Sequence, residues 1–216
     1  MCFNKEKREN AKKEQLIEEY NNSLIAMRDN FVIRAQEYGF VEIPAVQTMI
    51  YTLDETFKES PFLLSSYPIE EVKKILERRG KNVEEFRDKC FGRLESMRAH
   101  YPENVATIDK LCEDGMPLFI DIIDITDGWR TYAFCYEFKK TDEEGVYDAF
   151  ILTGTRKDPS REKIYAATHN IQPMTEDEFE NHYIMGRLEW NTDLHTETDI
   201  VNYDNEIRRL FNGQQH

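Results

Sequence analysis

At 216 residues, 40% of them hydrophobic and with 13 Phe, 11 Tyr and 2 Trp, the chain carries too much apolar surface for a disordered segment and enough for a substantial core. Its 28 Lys and Arg against 42 Asp and Glu leave a net charge of −14, a field that repels phosphate backbones and anionic lipid. The expected macromolecular partner is therefore a basic protein, with no direct nucleic acid and no membrane.

The stretch Met1–Tyr20 is rich in Lys, Glu and Asn and lacks the apolar run of a secretory signal, and no later window approaches a membrane span. Cys2, Cys90, Cys112 and Cys135 form no C-x-x-C pair, which reads as reduced thiols in a cytoplasmic protein.

In chain order, Leu16, Tyr20, Leu24, Met27, Phe31 and Ala35 form the stripe of a long helix that Gly39 closes. Val46, Met49, Ile50, Leu53 and Phe57 predict a second helix after Pro44. Pro68 opens a third that Gly80 stops, Asn82 caps a fourth, and Pro102 opens a fifth ending by Gly115. Beyond Gly115 the runs become β-branched and aromatic, with strands expected at about 117–126, 129–139, 146–154 and 162–168 in an antiparallel meander. Thr175 with Glu178 forms the capping box of a further helix, 183–194 offers a fifth strand, and a last helix covers about 199–212. The fold class is α+β: an N-terminal helical array (1–114) packed with a C-terminal antiparallel sheet and two helices (115–216) as one compact unit.

Charge divides unevenly. Residues 1–114 carry 18 basic and 22 acidic side chains, net −4, and residues 115–216 carry 10 and 20, net −10. The acidic half is the expected surface for a basic partner, as in an inhibitor or immunity-type factor or a mimic of nucleic acid, with Glu143 and Glu144 as contacts.

Within the strands, Asp121 or Asp124 with the triplet Glu137-x-Lys139 resembles the restriction-endonuclease-like arrangement, which implies Mg²⁺ held by the carboxylates and a water activated for hydrolysis. Register argues against it. With Asp127-Gly128 as a two-residue type I′ loop, Asp124 opposes Thr131, Asp121 opposes Phe134 and Leu118 opposes Glu137. Asp124 and Glu137 then share a face but stand six residues apart, roughly 20 Å. Only a bulge or a longer loop would close that gap.

The same register puts Asp121 on a face with Phe119, Ile123, Ile125, Tyr132, Phe134, Tyr136 and Phe138, where the hydroxyls of Tyr132 and Tyr136 are its candidate partners in a small-ligand site. Arg156 and Lys157, with Arg161 and Lys163, form the basic cluster of the acidic half and are candidate anion ligands. The five histidines lack metal-ligand spacing, and no phosphate-loop, dinucleotide or G-x-S-x-G motif occurs, so no metal site and no cofactor is expected. The readings rank as acidic interaction module, then small-ligand binder or enzyme around Asp121, then metal-dependent nuclease using Asp124, Glu137 and Lys139.

Overall fold

The computed structural model describes residues 2–153 and 158–182, with the side chains of 2–4 excepted. Arg156 and Lys157, the strand expected at 183–194 and the helix expected at 199–212 lie outside these residues. The class is α+β, in two compact units, Met1–Ala99 and His100–His216. Among the described residues no helix is long and apolar enough to cross a membrane.

The first unit is helical. Helix α1 (Cys2–Glu37) buries Ile17, Leu24 and Phe31, one every two turns, with Ala35 continuing the stripe. Helix α2 (Pro44–Tyr51) starts on Pro44, runs into a π-helical turn (Thr52–Thr56) and buries Val46, Met49 and Leu53. A single turn, α3 (Pro61–Leu64), precedes α4 (Ile69–Asp114), which continues into the second unit. Ile17 packs with Val72 and Leu76, Phe31 meets Phe91 edge-on at 5.3 Å, and Arg34 pairs with Glu95. Partner numbers rise together, so α1 and α4 run parallel. Between them the chain returns, since Arg28 pairs with Asp54 while Asn21 bonds both ways with the Glu59 backbone.

Three predicted helices are thus one. Gly80, Asn82 and Pro102 all lie inside α4. A stripe of Leu76, Val83, Cys90 and Met97, repeating every seven residues and fully buried, runs through Gly80 and up to Pro102. Breaking the helix would expose it, at about 1.5–3 kcal/mol per large side chain, against about 1 kcal/mol for an internal Gly and about 3 for an internal Pro.

The second unit holds β1 (Phe119–Asp124), β2 (Arg130–Lys140), β3 (Val146–Thr153), β4 (Ser160–Tyr165) and β5 (His169–Pro173), all antiparallel, in the order β4-β3-β2-β1-β5. The first four strands form the expected meander. β5, which sequence reading missed, joins the far edge beside β1. Only residues 166–168 link β4 to β5, a reach of at most about 14 Å, whereas five flat strands would set those edges about 19 Å apart. The sheet is therefore strongly curled. Its concave face holds Ile120, Ile122, Ala133, Cys135, Tyr147, Ala149, Ile151, Ile164 and Ile171, packed on Val105, Ile108 and Leu111 of α4. Buried Asn104 donates to the Ala166 carbonyl at 2.9 Å. Thr175 and Glu178 form the capping box of α5 (176–182), whose Phe179 packs on Phe119 and Phe134 on the convex face.

Two expectations of register are corrected. Asp121 opposes Tyr132, not Phe134, and Ile123 opposes Arg130. The D-G pair is not a type I′ loop, which needs positive φ at both central residues: only Gly128 has it (+77°). The Asp124 carboxylate instead accepts from the Thr126 N–H (2.8 Å) and hydroxyl (2.6 Å), Asp127 accepts from the Trp129 N–H, and the Gly128 N–H returns to the Asp124 carbonyl, which widens the loop. A bulge between Cys135 and Glu137 then inverts the alternation. Phe138 turns onto the concave face beside Tyr147 (5.6 Å), not onto the face of Asp121, and Glu137 turns to the convex face.

Candidate functional site

Asp121 is 1% exposed. Its partner is Arg130, the diagonal neighbour on the same face, whose Nε donates to Oδ2 at 2.8 Å and whose NH2 reaches the same oxygen. Sequence reading passed over Arg130 because the assumed register set it opposite Ile125, two positions too far along. The carboxylate raises the pKa of the guanidinium through hydrogen bonding and then through its charge. Asp121 Oδ1 is buried without a hydrogen-bond partner.

The tyrosines take other roles. Tyr132 stacks on His182 of α5 at 4.0 Å and lies beneath Arg130 at 5.6 Å. Tyr136 packs against Phe134 (4.6 Å) and Phe150 (5.4 Å), and burial raises its pKa.

The nuclease-like residues are not brought together. Asp124 holds the β1–β2 loop through Thr126. Glu137 pairs with Lys139 and with Arg161, which lies over the Phe150 ring at 5.2 Å; those two cations, Lys139 first, hold the Glu137 carboxyl below its usual range. Among the described residues no group of three or more His, Cys, Asp or Glu is placed to share a metal.

On the concave side, Asp109 of α4 accepts from Lys140 (2.6 Å) and from the buried Tyr147 hydroxyl (2.8 Å). The Lys140 bond lowers the Asp109 pKa against the opposing effect of burial, while burial, then Asp109, raises that of Tyr147.

Glu143 and Glu144 stand exposed in the turn 141–145 with Asp142. The turn is tight because Gly145 has φ +71° and lies over the Tyr101 ring, while the Tyr101 hydroxyl donates to the Glu144 carbonyl at 3.2 Å. The link between β4 and β5 ties this turn to the end of β1. The Ala166 N–H donates to the Gly145 carbonyl and the Ile125 N–H to the Thr168 carbonyl, so both hang on the short link 166–168, whose ends are at most about 7 Å apart. Trp129 is 60% exposed.

Among the described residues of the unit, Arg130 is paired with Asp121, Lys139 and Arg161 with Glu137, Lys140 with Asp109 and Lys110 with Asp114. The unit thus exposes both the Trp129 indole and the carboxylates of Asp127, Asp142, Glu143 and Glu144. Neither protein-family models, curated proteins nor solved structures give a match to the chain.

Proposed function

We propose that the protein is an acidic interaction module, of the inhibitor or immunity-type kind, that binds a basic protein through the edge formed by Asp127, Trp129, Asp142, Glu143 and Glu144. The observation that carries this reading is an exposed indole, Trp129, in the same unit as the exposed acidic turn of Asp142, Glu143 and Glu144, where Arg130, Lys139, Lys140 and Arg161 are already paired. An aromatic anchor ringed by charge is the usual distribution of labour in an interface: the indole, once desolvated, limits dissociation, and the rim carboxylates steer the encounter.

Capture from a native lysate, followed by kinetics against salt, tests it. The expected captured protein is basic. Its on-rate falls between low and physiological ionic strength, where the Debye length shortens to about 8 Å, and falls again on reversal of Glu143 and Glu144 to Lys. Trp129→Ala raises the off-rate instead. An acidic partner, or an on-rate indifferent to salt and to the reversals, refutes the proposal.

A second reading rests on the orphaned Asp121 Oδ1. A small ligand bearing an N–H or O–H donor would satisfy it beside Tyr132, with Arg130 holding the other oxygen. A thermal-shift screen of small amines and alcohols tests this against Asp121→Asn, and stabilisation that survives the substitution refutes it.

A further inference from the structure

The first unit carries a groove of about 740 Å³ along one side of α1, closed on the far wall by the first turns of α4. Lys5, Arg8, Lys12 and Leu16 line it at helical spacing, with Ile69 and Lys73 opposite. Glu9, Glu19 and Glu70 also line it; Glu70 is paired with Lys73, and Glu19 accepts from Gln15 at 2.8 Å. Lys5, Arg8 and Lys12 have no ion-pair or hydrogen-bond partner among the described residues.

That stripe is electrostatically unfavourable to the helix that carries it. The N-terminus of a helix favours carboxylates, yet α1 has none in its first turn and sets three cations, Lys5, Lys7 and Arg8, against Glu6 in its first two. Like charges three and four residues apart repel as well. An anionic partner lying along the stripe reverses both terms.

Apolar surface adjoins it. Phe62 is 86% and Leu63 69% exposed on α3. Lys13, buried, donates to the carbonyls of Ser65 and Tyr67 and fixes this knob against α1, while Leu64 beneath it packs on Ile17. Cations and an apolar floor of Leu16 and Ile69 therefore line one groove, and the Phe62-Leu63 knob is anchored to the same helix through Lys13.

We infer that the groove docks an acidic amphipathic helix of a partner protein, with carboxylates on Lys5, Arg8 and Lys12 and apolar side chains on Leu16, Ile69 and the Phe62-Leu63 knob. The α1 wall from residue 5 to residue 19 is about 21 Å long, four turns of a helical occupant lying in a groove. A bilayer fits less well, because the cations line a concave wall and the chain's charge of −14 repels anionic lipid. The inference uses the other unit from the acidic edge, so each stands without the other.

Selection of a displayed random library of 18-residue peptides on the full chain tests it. Enrichment of sequences rich in Asp and Glu, with apolar residues at i, i+3, i+4 and i+7, is the expected result. The best of them, as a labelled synthetic peptide, loses at least tenfold in affinity when Lys5, Arg8 and Lys12 are replaced by Glu, and loses affinity with Phe62→Ser and Leu63→Ser. The triple replacement restores acidic residues to the helix N-terminus, so unchanged or higher thermal stability shows that lost binding is not unfolding. No enrichment, basic sequences, or binding indifferent to the triple replacement overturns the inference. Preferential binding to phosphatidylserine vesicles, or self-association abolished by the same replacement, also overturns it, in favour of lipid or a second copy.

Discussion

Replacing Arg130 by Met leaves the Asp121 carboxylate, 1% exposed, with neither of its oxygens bonded. Breaking a buried pair from one side costs about 3–5 kcal/mol, but half of the Arg130 side chain is in solvent, and water following its path lowers the expected loss to about 2–4 kcal/mol. The reverse truncation is not equivalent. Asp121→Val removes the buried charge and one orphaned acceptor, while the freed guanidinium remains in water, so its cost is about 1 kcal/mol or less. Arg130→Met with Asp121→Val should then recover most of the loss from Arg130→Met alone, a coupling of about 2 kcal/mol across the cycle. Urea unfolding followed by circular dichroism measures the totals, and hydrogen exchange of the β1 and β2 amides reads this unit separately from the helical one. Equal costs for the two single substitutions, or a loss under about 1 kcal/mol for Arg130→Met, would refute the assignment of Arg130 as the partner that compensates the buried Asp121 carboxylate.

Asp109 is held below its usual pKa, chiefly by Lys140, so its contribution is present above the ordinary carboxylate range and is lost as pH falls below that range through the lowered folded-state pKa. Wild-type stability should fall with pH through and below the ordinary carboxylate range, and Asp109→Asn should flatten that fall; an unchanged slope in acid titration of unfolding denies the linkage. Gly145→Ala combines positive φ with a Cβ 2.6 Å from the Tyr101 hydroxyl, for an expected loss of about 2–3 kcal/mol. Adding Tyr101→Ala relieves the clash but not the backbone strain, so a double variant no better than Tyr101→Ala and Gly145→Ala summed would count against the close approach. Burial pushes the Cys90 and Cys135 thiols up to about 11, so both should resist iodoacetamide at pH 8 until the chain is unfolded, as read by mass spectrometry.

Helices and caps were legible because their signals are local. The Thr175 and Glu178 pair closes as its spacing demands, and the stripe of α1 is where its period puts it. Punctuation misleads when read without its cost: Gly80 ends a helix, and Pro102 opens a new one, only where no buried stripe continues past them. β5 was invisible for the opposite reason. In His169–Pro173 only Ile171 is buried, and Asn, Gln and Pro give no strand signal, so pairing with β1 rather than propensity makes it a strand. The register of the hairpin was lost to side chains competing with a backbone turn: the carboxylates of Asp124 and Asp127 bond nearby N–H groups, and the loop follows them.

The bulge has the largest consequence for function, and its cause lies in the sequence. Ala133 and Cys135 face the core at odd positions, and the next strongly apolar side chain, Phe138, is at an even one. Unbroken alternation would keep one phase through β2, sending Glu137 and Lys139 into the concave core and Phe138 to solvent. Desolvating those charges costs several kcal/mol each, whereas a bulge gives up one ladder position. The extra residue is therefore the cheaper solution, and it changes what the convex face offers. Glu137 comes out to gather Lys139 and Arg161, which removes two cations from the uncompensated charge of the unit, and the strand bends there, as the short link between β4 and β5 requires. The phase jump thus takes Glu137 to the face opposite Asp124, away from any shared metal site, while Phe138 joins the core beside Tyr147.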